Sequence, residues 1–278
     1  MPVYCLENSC YRGQAINTPP AADGKSAFTW PALIEVDRGT PPIRTFCKIY
    51  PEEPARKDLV NELIGYLGLE AFELSTPKRA GFIEIGVDQI PKNTPEWVNR
   101  NQSQVAWWTE AVDGPSLKGR FKVDDNIDPS LCAHRMAKAR STLLGRRDFI
   151  AKVIVADDVL ANIDRNLGNL IAHTGGYVLI DNGACLTGPI WNASTLNASG
   201  LYYNIIKEFL EPEIRSLDFS RSMIKAKVDM SAKLAPLITE VNKWLFIVDN
   251  EDDRSAIIPF ISERLNGAGM NKRLGFVL

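Results

Sequence analysis

The sequence predicts an α+β protein of two lobes: a mostly β first part that carries one helix, and a mostly α second part. Three observations predict it. At 278 residues the chain exceeds what one ordinary hydrophobic core fills, since cores stop growing near roughly 250 residues. Up to about residue 112 the chain is punctuated by Pro and Gly and runs in short alternating stretches, the texture of strands. From Pro129 onward its apolar residues recur at helical spacing.

In chain order, residues 28–36, 43–50, 81–87 and 104–112 each read as a strand bounded by turn residues. Residues 56–69 read as a helix, because Leu59, Val60, Leu63, Ile64 and Leu67 share one stripe at about 100° per residue. Glu62 flanks that stripe, roughly 60° beyond its Leu59 edge. Residues 131–144, 147–160, 201–210, 230–248 and 252–265 read as helices. Among them, residues 170–173 and 177–180 flank Thr174-Gly175-Gly176, a hairpin signal, and an isolated hairpin in a helical lobe is usually there to hold a site. The predicted lobes are residues 1–109 and 110–278.

Charge and cysteine usage exclude several functions. Lys and Arg number 32 against 34 Asp and Glu, a net charge of -2, so no global basic field exists for nucleic-acid binding by counterion release. Cys5, Cys10, Cys47, Cys132 and Cys185 are odd in number, scattered and without a CxxC pair, which argues for reduced thiols over a disulfide framework or zinc knuckle. No apolar run has the length of a membrane span, and Glu7, Asn8 and Ser9 stand where a signal peptide needs an apolar core. The expectation is a cytoplasmic protein without membrane or direct nucleic-acid contact.

Asp164 and Asn169 lie on a polar loop just after a helix, and Asp181 lies just past the second hairpin strand. A short hairpin brings its ends together, so Asn169 and Asp181 are predicted neighbours. An amide oxygen beside a carboxylate suits Mg²⁺, a hard ion that takes few protein ligands and keeps sites for water and phosphates. Asp164 could then orient or deprotonate a hydroxyl near the metal. Read otherwise, Asp, Asn and Gly simply make turns here. Lys48 is a lone cation in an apolar strand, and Glu62 could pair with it and hold it toward nucleotide phosphates, since an unpaired buried charge is costly. The alternative is a Lys that snorkels to the sheet edge and a Glu on a solvated face. Asp157 and Asp158 could cap a helix end or brace the loop. His134 and His173 make no metal or triad pattern and read as structural.

In this order of parts the chain resembles the protein-kinase-like fold, and more narrowly the HipA-like kinases of bacteria. The matching words are Phe46-Cys47-Lys48, Asn61-Glu62-Leu63, Asp164-Arg165-Asn166-Leu167-Gly168-Asn169 within residues 155–170, and Leu179-Ile180-Asp181-Asn182-Gly183. The resemblance spans about residues 25–190. It implies a bilobal protein-kinase-like fold, ATP and Mg²⁺ as cofactors, and transfer of the γ-phosphoryl group to a hydroxyl, above all a Ser or Thr of a protein. Lys48 would contact the α and β phosphates with Glu62 fixing it, Asp164 would be the catalytic aspartate, and Asn169 and Asp181 the metal ligands. The Glu110 carbonyl and Val112 amide would meet the adenine edge, with Trp107 and Trp108 either beside that hinge or plain core. An antitoxin-like or regulatory protein partner also belongs to this resemblance.

Departures and alternatives remain at this stage. No Gly-x-Gly-x-x-Gly precedes Lys48, so the phosphate lid falls to residues 8–13 or 23–26, and Asn166 replaces the histidine of the Asp-Arg-His form. A lipid or small-molecule kinase, a catalytically silent nucleotide-binding regulator and a nucleotidylyl transferase are the competing functions. Residues 182–203, rich in small and hydroxyl side chains, are predicted to form a mobile regulatory or acceptor-facing loop.

Overall fold

A computed structural model describes residues 3–15, 26–53, 56–124 and 126–275. By backbone proximity the chain divides into two units, one of Met1–Leu59 with Pro77–Val112 and one of Val60–Thr76 with Asp113–Leu278.

The first unit is built on a six-stranded sheet. Its strands are β1 (Val3–Leu6), β2 (Tyr11–Gln14), β3 (Phe28–Ile34), β4 (Ile43–Ile49), β5 (Ala80–Ile85) and β6 (Gln104–Glu110), in the order β1-β5-β6-β4-β3-β2. The last four are the predicted strands with tighter bounds; β1 and β2 are too short to announce themselves in sequence. β1 runs parallel to β5, and every other neighbouring pair is antiparallel. Gly81 of β5 makes the parallel pairing possible, because a Cβ there would stand 2.1 Å from the Tyr4 carbonyl oxygen. Strand alternation sorts the side chains. Trp30, Ala32, Ile34, Cys47, Ile83 and Trp108 bury one face as a core. Lys48 lies in register with Trp107 on the other, half-buried among its neighbours.

The second unit is mostly helical: α1 (Asp58–Ala71, from residue 60), α2 (Leu117–Arg120), α3 (Pro129–Leu144), α4 (Arg147–Val159), α5 (Ile205–Phe209), α6 (Leu217–Ser231), α7 (Leu234–Asn242), α8 (Glu251–Asn266) and α9 (Gly269–Leu274). The hairpin β7 (Leu170–His173) and β8 (Gly176–Leu179) stands among them in the predicted place, Leu170 opposite Leu179. Two helical expectations are corrected. Residues 230–248 are not one helix: α6 ends at Ser231, α7 spans nine residues and a 3₁₀ turn at Leu245–Ile247 follows. The α6 stripe of Phe219, Met223, Ala226 and Met230 is narrow on an otherwise polar helix, capped where the Phe219 N–H donates to the Ser216 hydroxyl. The stripe read on α1 also understates it, for every residue from 60 to 69 is buried, Asn61 and Glu62 included. A helix apolar nearly all round is a core helix, and its two polar residues then need partners.

α4 positions the loop that follows. It ends in a Schellman arrangement: the Asn162 N–H donates to the Asp157 carbonyl (2.9 Å) and the Ala161 N–H to the Asp158 carbonyl (3.2 Å), with Ala161 left-handed at φ 47. The left-handed residue turns the chain sharply, so the next residues leave the helix end as a loop.

Candidate active site

The second unit gathers Asp164, Asn169, Asp181 and Glu62. Asn166 caps the 3₁₀ turn Leu167–Asn169, its Oδ1 accepting from the Gly168 N–H at 2.8 Å, while Asn169 Oδ1 accepts from the Asn166 N–H at 3.1 Å. The Asn166 amide also donates to the Asp164 carbonyl at 3.1 Å, and the Asp164 N–H donates to Asn162 Oδ1 at 3.2 Å. Turn chemistry of this kind shapes the loop, and it leaves the Asp164 side chain exposed.

Across the hairpin the Ile180 N–H donates to the Asn169 carbonyl at 3.1 Å, so the two hairpin ends meet and Asp181 follows directly. Asp181 is exposed and left-handed at φ 64, a conformation uncommon for a residue other than Gly. Arg165 holds that turn. Fully buried, it donates through Nη1 to the Ile180 carbonyl (2.6 Å) and the Asp181 carbonyl (3.4 Å), and through Nη2 to Asn182 Oδ1 (2.7 Å). Its Nε meets both Asp157 oxygens at 3.3 and 3.4 Å. Of the two expected roles for Asp157, bracing the loop is the one observed. Burial pushes the Asp157 carboxyl up to about 6, against the pull of Arg165, so the pair is ionic at neutral pH.

Glu62 is 1% exposed, and its Oε2 accepts the Asn182 N–H at 2.9 Å, one residue beyond Asp181. Sequence reading gives this carboxylate a lysine; the partner found within its own unit is the backbone of the Asp181 turn. Gly65, one turn further along α1, permits the approach, because a Cβ there would sit 2.3 Å from that of Asn182. Lys48, Glu110 and Val112 belong to the first unit. Glu110 ends β6, its N–H donating to the Arg79 carbonyl at 2.8 Å, and Val112 is the last residue of that unit. Trp107 and Trp108 are buried in the same strand, Trp107 edge-on to Phe82 with centroids 5.2 Å apart. Of the two candidate lids, residues 8–13 form a 3₁₀ turn and the start of β2, and residues 23–25 lie outside the described residues.

The segment after Asp181, expected to be a mobile loop, has anchors on buried side chains. Asn61 Nδ2 donates to the Gly183 and Gly188 carbonyls, both at 2.8 Å, and Asn61 Oδ1 accepts from Trp191 Nε1 at 2.9 Å. The Ala193 N–H donates to Asp253 Oδ1 at 2.7 Å. Cys185, Leu186 and Trp191 are buried as well, so apolar burial and polar anchors together offset the ordering entropy of a segment that is otherwise polar.

All five cysteines are free, and burial raises the Cys185 thiol well above its ordinary range, as it raises Cys47 to about 12. Among the described residues no cluster of three or more His, Cys, Asp or Glu could cage a metal, and no helix is long and apolar enough to cross a membrane. Asn169 Oδ1, with one lone pair engaged by Asn166, and the exposed Asp181 carboxylate are hard oxygens at adjoining hairpin ends. That donor set fits Mg²⁺, whose other positions go to water and phosphate.

No protein-family model matches the chain, and no curated protein matches it. Among solved structures it is similar to the crystal structure of a Helicobacter pylori proinflammatory kinase, CtkA, with a TM-score of 0.54 and 13% identity over 95% of this chain and 98% of that one. The fold is kinase-like.

Proposed function

We propose that the chain is a HipA-like, ATP-dependent kinase that transfers the γ-phosphoryl group to a Ser or Thr hydroxyl of a protein. The observation that carries this reading is the arrangement of Asp164, Asn169 and Asp181 around one braced hairpin, in a chain whose fold is kinase-like. Phosphoryl transfer needs positioning and charge neutralisation more than covalent chemistry by the protein. The exposed Asp164 carboxylate would accept the proton of the attacking hydroxyl as the new O–P bond forms and the bond from the γ-phosphorus to its bridging oxygen breaks. Asn169 and Asp181 would hold Mg²⁺, which when bound offsets the charge of the phosphates. Lys48 is the cation assigned to the α and β phosphates, and the Glu110 carbonyl and Val112 N–H the groups assigned to adenine.

Labelled ATP, Mg²⁺ and a generic protein acceptor such as casein test the reading. Asp164→Ala is expected to lower phosphoryl transfer by about 10²–10⁴-fold with nucleotide binding retained. Asp181→Ala is expected to lose Mg²⁺-dependent nucleotide binding as well. Mass spectrometry of the modified acceptor separates a phosphate adduct from the heavier AMP adduct. Wild-type rates in both variants would overturn the assignment.

A further inference from the structure

Asp158 lies next to Asp157 at the end of α4 and points elsewhere. Its Oδ1 accepts from Arg264 Nη2 at 3.0 Å and from Arg273 Nε at 3.1 Å, and its Oδ2 from Arg273 Nη2 at 3.0 Å. Arg264 is 0% and Arg273 6% exposed, so one carboxylate faces two buried guanidinium groups, one from α8 and one from α9. Such a cluster carries an excess positive charge, which is costly unless other acceptors meet it. Backbone carbonyls of the segment after Asp181 meet it here. Ala198 O accepts from Nη1 of both arginines at 3.2 Å, and Gly200 O accepts from Arg264 Nη1 at 3.0 Å. The Tyr202 ring lies 4.9 Å from the Arg264 guanidinium carbon. Arg264 Nε also donates to the Asp158 carbonyl at 2.6 Å, which ties α8 to the backbone of α4. A single arginine would neutralise Asp158; the second leans on residues 198–200, because without them Nη1 of both arginines loses its carbonyl acceptors, while Arg264 Nε keeps the Asp158 carbonyl and Arg273 Nη2 the Arg264 carbonyl.

We propose that Arg264 and Arg273 are positioning residues for the acceptor side of the site. The last two helices hold residues 193–202 in register with the catalytic loop, because the two hang from adjacent carboxylates of α4: Asp157 through Arg165, and Asp158 through Arg264 and Arg273. The functional half of this inference rests on the kinase reading; the anchoring half does not.

The full-length chain carrying Arg273→Ala, compared with Arg273→Lys and wild type, tests both halves. Hydrogen exchange at residues 193–203 is expected to quicken by about tenfold or more in Arg273→Ala, with α6 unchanged. With casein as acceptor, KM for casein is expected to rise about tenfold while hydrolysis of ATP to water and KM for ATP stay within about twofold. Arg273→Lys, which keeps the charge and loses the fork, is expected to fall between the two and serves if the alanine variant does not fold. Unchanged exchange overturns the anchoring. Faster exchange with equal losses toward casein and water overturns the acceptor role. Wild-type protein inert toward ATP would sink the kinase reading instead, and exchange alone would then decide the anchoring.

Discussion

The loop of residues 162–170 and the segment after the Asp181 turn, residues 182–203, have similar polar, turn-forming compositions and are tied to the fold in different ways. The loop is held mainly by partners near it in sequence: Asn162 to Asp164, Asn166 to Gly168 and Asn169, Arg165 to Asp157. The later segment makes local turns at Asn192 and Asn197, and is tied to the rest of its unit by partners far from it: Asn61 on α1, Asp253 and Arg264 on α8, Arg273 on α9. A locally held loop keeps its form as long as its own helix end survives. A segment held at a distance is only as ordered as the elements that hold it, and so can respond to events elsewhere in the unit.

The largest effect expected from breaking this contrast is at Arg165, which joins the two regions. Arg165→Met strands Asp157 in the interior and frees the Ile180 and Asp181 carbonyls, so about 3–5 kcal/mol of stability should be lost. Adding Asp157→Leu removes the stranded charge and should restore most of that stability. Phosphoryl transfer should stay low in the double variant, because the left-handed Asp181 has lost the donors on its carbonyl side. Urea unfolding and transfer assays on both variants check this; recovery of activity together with stability would show that Arg165 serves folding alone.

How much could be read from the sequence follows the same contrast. The four main strands, the hairpin and the neighbourhood of Asn169 and Asp181 were legible because alternation, Gly-Gly turn chemistry and short spacing act over a few residues. β1 and β2, of four residues each, carry too little pattern. α6 was missed because its buried stripe is thin among Lys, Asp and Ser, although Ser216 three residues before Phe219 was a cap signal. For Asp157 and Asp158 the choice between capping and bracing was open, and only the fold shows two neighbouring carboxylates facing different arginines. The pairing of Asp158 with Arg264 and Arg273 crosses more than a hundred residues, and no local pattern specifies it. The anchoring of residues 183–191 by Asn61 was hidden likewise, since a polar residue beside an apolar stripe reads as solvated until the helix proves buried all round.

A smaller effect distinguishes the two carboxylates by pH. Burial raises Asp157 from 3.8 to about 6, so the folded protein binds a proton that the unfolded chain lacks between about pH 4 and 6. The sign follows: this group's contribution to stability is largest below about pH 4, declines as pH rises through 6, and is flat above, a change of order 2–3 kcal/mol. Asp157→Asn lacks that titration, so wild type should gain stability relative to it on going from pH 7 to pH 4. Asp157 protonation also removes the ionic partner of Arg165, so protection from exchange in the 162–170 loop, relative to the intrinsic rate at each pH, should fall below about pH 6 while that of residues 193–202 is kept. A stability difference between the two proteins that is constant across that range would remove the case for Asp157 as the titrating brace.

The smallest expected effect is at the near end of the distant anchoring. Trp191→Phe keeps most of the buried ring, 3% exposed in the wild type, and deletes the Nε1 donor to Asn61 Oδ1. A buried amide oxygen that loses one donor costs about 1–2 kcal/mol, and the smaller ring adds a modest packing loss. Asn61 retains its own bonds to the Gly183 and Gly188 carbonyls, so α1 stays attached and the loss falls on the Trp191 end alone. Hydrogen exchange should therefore quicken across residues 188–193, and the 162–170 loop, whose ties run to Asp157, to residues 180–184 and within itself, should exchange as before. If residues 162–170 loosened in step with 188–193, the two regions would be one cooperative unit, and the distinction between local and distant anchoring would have no energetic content.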